Sequence, residues 1–337
     1  MRAIPTARSP RDDDQGFSII ETMISISILM VVCGTVLQGV LGLTDVSRMV
    51  SNRTDMHSGV RNATELLTQE IGQAGRISLP GAVTLNANAA VGSMSLVFAS
   101  TAAGGGIVAT TGMFVGEHLL IGTGDVQEVV TVSAVVDDIT VSLAEALDFD
   151  HAANEPVAAI GGFAEGVVPP EDEGYANGST ENILKIFGDI HDDGRIVYVE
   201  YECDIPNGRL YRTSMSYNAG VKQAPTVEEI LIDNIEANPV NPDGSITPCF
   251  TYQTQTVVNR LYVVDVAVTL TIRSQNIDKN TGDFQTETKA LLNVAPRNVF
   301  NVWQSASLSM NDRVQPIPPA VTQLLPNLVS QVDVETY

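Results

Sequence analysis

Few residues in this sequence stand where they could do chemistry. The four histidines, His57, His118, His151 and His191, are scattered, and no HExxH zinc helix, GxSxG nucleophile turn or P-loop accompanies them. The run Asp189-Ile190-His191-Asp192-Asp193-Gly194 comes near a calcium loop, with Glu200 at its far end. However, His191 stands where Asp or Asn is needed, and a strand pattern follows instead of a helix. A solvated acidic turn is the plainer reading, and solvated charge is likewise the default for Glu171 and Glu173 in linker-like sequence. No metal, no cofactor and no catalytic constellation is expected. Cys33 lies in an apolar run and reads as a small hydrophobe. Cys203 and Cys249 both fall in strand-rich sequence. In an exported domain they could pair, closing a loop worth about 4 kcal/mol by chain entropy, or they could stay as two buried thiols.

Glu21 is the acid that needs an explanation. From Phe17 to Leu43 run 27 residues with no other charge. As a helix they span about 40 Å, enough to cross a hydrocarbon core of about 30 Å. A carboxylate there costs roughly 2.5–3.5 kcal/mol on insertion scales, so it implies a partner or a function. A neighbouring subunit's freed α-ammonium, offset along a bundle of such helices, would neutralise it. The alternative is a carboxylate snorkelling to the interface from near the helix end. A secretory signal would place its cleavage site after the apolar core. Here the expected cut, after Gly16, precedes it, so the hydrophobic stretch stays on the mature chain as an anchor.

The string Gly16-Phe17-Ser18-Ile19-Ile20-Glu21-Thr22-Met23 resembles the prepilin cleavage and methylation motif of type IV pilins and type II secretion pseudopilins. The resemblance implies that a prepilin peptidase cuts after Gly16 and methylates Phe17, and that Glu21 guides subunit docking. It also implies an inner-membrane helix with the globular part in the periplasm, and partnership with other pilin or pseudopilin subunits, an inner-membrane assembly platform and the lipid bilayer. The sequence departs from the family pattern just before the glycine, where Asp12-Asp13-Asp14-Gln15 replaces the usual basic residues. Arg48, Arg53, Arg61 and Arg76 lie on the other flank, so the cytoplasmic leader follows from the resemblance and not from loop charge.

The elements that must position these residues are legible in outline. Apolar residues recur at Val46, Met49, Met56, Val60, Ala63, Leu67, Ile71 and Ala74, mostly three or four apart, so the helix continues as an amphipathic rod to about Gly75. Gly34, Gly39 and Gly42 weaken it locally and allow close helix contacts. From Val197 the period becomes two: Val197, Val199, Tyr201 and Cys203 alternate with Tyr198, Glu200 and Glu202, and Pro206-Asn207-Gly208 turns into Arg209–Arg212. The clearest strand carries Tyr262, Val264, Val266, Val268, Leu270 and Ile272 on one face, and Phe284–Val294 returns beside it after a turn at 278–282. An antiparallel sheet laid on the long helix is the expected core.

That order resembles, more narrowly, PilW-type minor pilins, on Glu70-Ile71-Gly72-Gln73-Ala74-Gly75-Arg76, Leu210-Tyr211-Arg212 and Arg297-Asn298. The expected organisation is therefore α+β and pilin-like: leader 1–16, helix 17–76 with 17–43 transmembrane, β-rich insert 77–176, antiparallel sheet 177–305 and a proline-containing tail 306–337. Within the insert, 117–121, 127–135 and 139–143 read as strands, 102–106 as a glycine-rich loop and 174–178 as a linker. Pro316, Pro318, Pro319 and Pro326 mark the tail as irregular. The surface carries 40 acidic against 18 basic residues, a formal charge of −22, which repels phosphate backbones and argues against nucleic acid as a partner. The expected function is a non-catalytic minor pilin, in or priming a type IV pilus. A type II secretion pseudopilin rests on the same residues. A membrane-tethered periplasmic binding or adhesion protein is the alternative from another class.

Overall fold

The computed structural model describes residues 18–100, 108–175, 177–217, 219, 225–278 and 281–319, and they form an α+β chain. Helix α1, Ile19–Gln73, runs without interruption through both the apolar run and the amphipathic rod. No proline falls between Pro10 and Pro80 to stop it. At 1.5 Å per residue it is about 80 Å long. From Ile19 to Val46 its apolar side chains are exposed on every side. Below that, Met56, Val60, Ala63, Leu67 and Ile71 turn one buried stripe inward.

After the helix the chain builds a closed six-stranded antiparallel barrel from β1 (Val83–Leu85), β2 (Ser95–Ser100), β3 (His118–Ile121), β4 (Glu128–Val135), β5 (Thr140–Leu143) and β6 (Pro156–Ala159). The strands are short, and closure leaves no free sheet edge. Alternate residues fill the interior, among them Leu85, Phe98, Leu119, Ile121, Val132 and Val141. The strands read in the insert at 117–121, 127–135 and 139–143 correspond to β3, β4 and β5, while the glycine-rich 102–106 loop lies outside the described residues.

Strand β7 (Gly162–Phe163) brings the chain back to the end of α1. Two antiparallel sheets then share one core with the helix stripe. The first has the order β11-β10-β9-β8, from β8 (Ile183–Gly188), β9 (Val197–Asp204), β10 (Arg209–Ser216) and β11 (Ile230–Asp233). The second is built on a long central strand. It comprises β12 (Ile235–Glu236), β13 (Phe250–Val257), β14 (Arg260–Ile277) and β15 (Phe284–Val294), with β12, β13 and β15 all paired to β14. Val199, Tyr201 and Leu210 from the first sheet and Val266, Val268, Leu270 and Ile272 from the second meet Met56, Leu67 and Ile71 in one cluster.

Three features differ from the sequence expectation. β14 does not keep one face. A register shift opposite Gln253 and Thr254 leaves Val264 unpaired, so Val263 enters the helix-facing core while Tyr262 and Val264 pack on the opposite side. β9 is buried on both faces, Tyr198 and Glu200 included, so its alternation does not separate wet from dry. Residues 297–305, expected with the sheet, instead belong to helix α2, Arg297–Ser307, which covers the second face of β14 with Val299, Val302 and Ala306, and the tail expected to be irregular carries β16 (Val314–Gln315), which pairs parallel with β7. Pro326 lies outside the described residues.

The end of α1 is the meeting point of all these parts. Gly75 has φ +77°, its N–H donates to Phe187 O at 2.8 Å, and its carbonyl accepts from Phe163 N–H at 2.8 Å. The Asn298 amide on α2 caps the helix by donating to Gln73 O at 3.1 Å, with Gly72 O and Ala74 O close by. A methyl group at Gly75 would lie 2.8 Å from Phe163 O and 2.9 Å from Val299 Cγ2, and one at Gly166 would lie 2.2 Å from Gly75 Cα. Gly72, one turn earlier, has nothing within 4 Å of such a methyl. Gly75→Ala is therefore expected to cost about 2 kcal/mol or more, from positive φ and overpacking together. Gly72→Ala should be neutral or stabilise by up to about 1 kcal/mol. Urea unfolding of the two variants in detergent measures the contrast.

Candidate functional site

Two adjoining stretches of α1 make up the candidate site: an exposed rod and the junction that holds it. In the rod, Ile19 is 81% exposed and Leu43 72%, while Leu67 and Ile71 at the other end are fully buried. The rod carries the one stretch among the described residues that is long and apolar enough to cross a membrane. Five of its hydroxyls are satisfied within the helix. Thr22 donates to Ile19 O at 2.8 Å, Ser25 to Glu21 O at 2.8 Å, Ser27 to Met23 O at 2.8 Å, Thr35 to Val32 O at 2.9 Å and Thr44 to Val40 O at 2.8 Å. Such back-bonding lets Ser and Thr sit in an apolar medium at little cost. The Glu21 carboxylate has no partner among the described residues and faces outward in the first turn of α1. Gly16 and Phe17, the expected cleavage and methylation residues, lie outside the described residues.

The junction is anchored by a buried carboxylate. Glu70, 4% exposed, accepts from Tyr201 O–H at 2.6 Å, from Arg212 Nε at 3.1 Å and from Arg212 Nη2 at 2.5 Å. Burial pushes the Tyr201 phenol well up and the Glu70 charge adds to it, so Tyr201 acts as a donor throughout the working pH range. Arg76, just past the helix, pairs with Asp192. The motif residues singled out in the sequence, Glu70 to Arg76, Arg212 and Asn298, thus converge on one place. Sequence reasoning named them without seeing that they touch.

Elsewhere the candidates stay apart. Asp189 is fully buried and accepts from the amides of Asp193 at 3.0 Å and Gly194 at 3.1 Å and from the Ser78 hydroxyl, so it ties the 189–194 turn to the chain leaving α1. Glu200 takes the Tyr198 hydroxyl at 2.6 Å. Among the described residues no group of three or more His, Cys, Asp or Glu side chains is arranged to hold a metal ion. Cys203 and Cys249 are buried free thiols beside one another, and burial, then the Cys249 contact, pushes the Cys203 thiol well up. Cys33 is exposed on the rod.

Three of the four histidines have separate partners. His57 pairs with Glu287 at 3.0 Å and His118 Nδ1 lies 2.9 Å from Asp312 O. His151 is buried in the barrel, its two ring nitrogens 2.6 Å from Glu155 and 2.7 Å from Glu128. Burial pulls its pKa down, and the two carboxylates more than offset that, so it is raised overall. This cluster closes the barrel's end loop and was not singled out from sequence, because nothing local marks two acids flanking a histidine across a strand.

Comparison with protein-family models, with curated proteins and with solved structures finds no match for this chain.

Two measurements test the electrostatics described here. Glu70→Ala leaves the Arg212 guanidinium, with 21% of its side chain exposed, without its carboxylate. The expected loss is about 3 kcal/mol, and the double variant with Arg212→Met should lose less than the two single changes added together, as unfolding of all three variants will show. Glu117 is 1% exposed, and burial pushes its carboxyl from 4.5 up to about 8, with the Phe114 amide pulling only partly the other way. The folded chain therefore keeps a proton that the unfolded chain releases near 4.5. This contribution to stability is complete below pH 4.5 and is lost as pH rises through 8. Glu117→Gln should raise stability by on the order of 3 kcal/mol at pH 8 and have little effect at pH 4, read from thermal unfolding at the two pH values.

Proposed function

We propose that this chain is a membrane-anchored assembly subunit, a non-catalytic minor pilin of a type IV pilus or of a related secretion pseudopilus. The observation that carries the reading is the contrast along α1. Met56, Val60, Ala63, Leu67 and Ile71 form a stripe buried on the sheets, while the side chains from Ile19 to Thr44 are exposed. Each exposed Ile, Leu, Val or Met would gain about 1.5–3 kcal/mol on burial, so the rod together represents tens of kcal/mol. In water that gain is left unrealised, and an apolar surface of this extent marks a contact with lipid or with other helices. Glu21 fits the second environment. With the hydroxyls of Thr22 and Ser25 already bonded to the helix, Glu21 is the one acid among the described residues of the apolar stretch 18–43, and it is open to a neighbour's amine.

In this reading the helix first holds the subunit in the inner membrane with its sheets and barrel in the periplasm. Removal of the leader after Gly16 frees the α-amine of Phe17. The processed helix then packs against its like in a filament, with Glu21 opposite a neighbouring amine. The barrel is bulk on the fibre's outside or a surface for adhesion. The same physics serves a pilus and a type II secretion pseudopilus.

The test is the mass of the chain extracted from membranes of a host with prepilin peptidase. A mature chain beginning at N-methylated Phe17 is expected, with Gly16→Ala retaining the leader. Glu21→Ala should be processed normally and yet fall at least about tenfold in sheared filaments, the scale of one unpaired membrane charge. A chain that begins at Met1, or that loses its apolar stretch, overturns the reading.

A further inference from the structure

The β14–β15 hairpin climbs beside the upper part of α1. Between them lies an open cleft of about 1120 Å3, bordered by Gly42, Asp45, Arg48 and Asn52 on the helix and by Asn276 and Phe284 on the hairpin. Asn276 Nδ2 donates to Asn52 Oδ1 at 3.1 Å, and Glu287 meets His57 at 3.0 Å, so the hairpin is tied to the helix and does not hang free. Above that tie, the last pair of the ladder is Ile277 opposite Phe284. Ile277 is 54% exposed and Phe284 38%, and the Arg273 guanidinium stacks on the Phe284 ring at 4.7 Å. This apolar pair stands exposed at the tip of the hairpin.

The length of the helix says what level this tip reaches. With Glu21 at one interface, the hydrocarbon core of about 30 Å takes about twenty residues, from Thr22 to Leu41. The headgroup layer is a further 5–7 Å or so, which starts at Gly42, where the cleft starts. Side chains of a helix lean toward its N-terminus, so Arg48 leans back toward the membrane. Its guanidinium makes no hydrogen bond or ion pair with the protein among the described residues. The chain's net charge of −22 disfavours an anionic lipid surface, which leaves the zwitterionic one.

We infer that this cleft takes the headgroup of a zwitterionic phospholipid, with Arg48 on its phosphate and the Ile277–Phe284 pair set into the membrane interface beside it. The inference rests on the anchoring role proposed for α1. Docking at a second point besides the helix fixes the tilt and rotation of the domain on the bilayer before assembly.

Tryptophan depth quenching tests it, because the chain has a single native tryptophan, Trp303 on α2, some 45 Å of helix away from the membrane end. Phe284→Trp and, separately, Ile277→Trp are placed in the full processed chain, one chain per phosphatidylcholine nanodisc. Leu29→Trp reports the helix itself. Lipids brominated close to the headgroup should cut the added emission at positions 277 and 284 about twofold, leave Trp303 untouched, and lose that effect when Arg48→Glu is combined with either tip variant. Strong quenching at Leu29→Trp with none at either tip position overturns the docking inference while leaving the anchor standing. Tip quenching unchanged by Arg48→Glu overturns the headgroup site. A tip shielded only when two chains share a disc shows a protein occupant and also overturns it. Absence of quenching at Leu29→Trp removes the anchor, and the inference with it.

Discussion

The buried Glu70 carboxylate, held by Arg212 and Tyr201, is the contact on which the rest of the architecture depends. The helix stripe of Met56, Val60, Ala63, Leu67 and Ile71 packs on aliphatic strands, and such contacts are nearly indifferent to a slide or a small rotation. An ion pair in the same core is not indifferent. A shift of one residue would turn Glu70 by about 100° and leave two charges unpaired out of water. Because α1 is one unbroken helix, whatever fixes Glu70 also fixes the direction in which Glu21 points, about 70 Å away.

The barrel respects that constraint by leaving the core where it entered. Arg76 and Gly162 form a bridge, Gly75 and Gly166 touch backbone to backbone, and the later Val314–Gln315 strand closes over the same place. Gln315 is fully buried and donates to His118 O at 2.8 Å and Ile160 O at 2.6 Å, so the distal chain laces the barrel to the junction. An insert whose two ends meet at one point can be long without stretching the fold that carries it, since loop closure cost grows only with the logarithm of length. Its stability is largely its own: a separate apolar interior, and a buried histidine clamped by two acids at one end.

Local pattern was legible in the sequence, and long-range choice was not. The apolar run, the stripe to Ile71, the strands 128–135 and 140–143, and the alternation from Val266 to Ile272 all repeat within a few residues, so periodicity alone finds them. Glu70 and Arg212 are 142 positions apart, and nothing near either one announces the other. The shift at Val264 came from the register of β13, not from β14's own residues, which is why an unbroken apolar alternation misled about its first half. Helix α2 was missed although Val299, Val302 and Ala306 carry its spacing, because residues 297–305 follow directly on the strand pattern of β15 and were counted with the sheet. Barrel closure depends on β1 meeting β6, a pairing between two very short strands with little signal of their own. The apolar run of α1 is the exception to this rule. A lone acid in an apolar run stands out without any partner in view.

On the proposed reading, α1 passes through three media in sequence, and its composition changes at each boundary. Up to Leu41 the hydroxyls bond back to the helix and one acid stays open for a neighbour. From Gly42 to Asn52 charges return, and the hairpin comes alongside. From Met56 onward one face is protein and the opposite face water. A helix of this length can belong to several environments only if each stretch is satisfied independently, since a continuous backbone transmits direction but not solvation. That separation also makes the rod transferable. The stretch up to Leu41 makes no demand on the sheets beneath it, so it can leave lipid for a bundle of like helices without disturbing the Glu70 junction. The same independence makes Glu21 informative on the proposed reading, because no described residue meets its carboxylate and a charge in lipid calls for a partner.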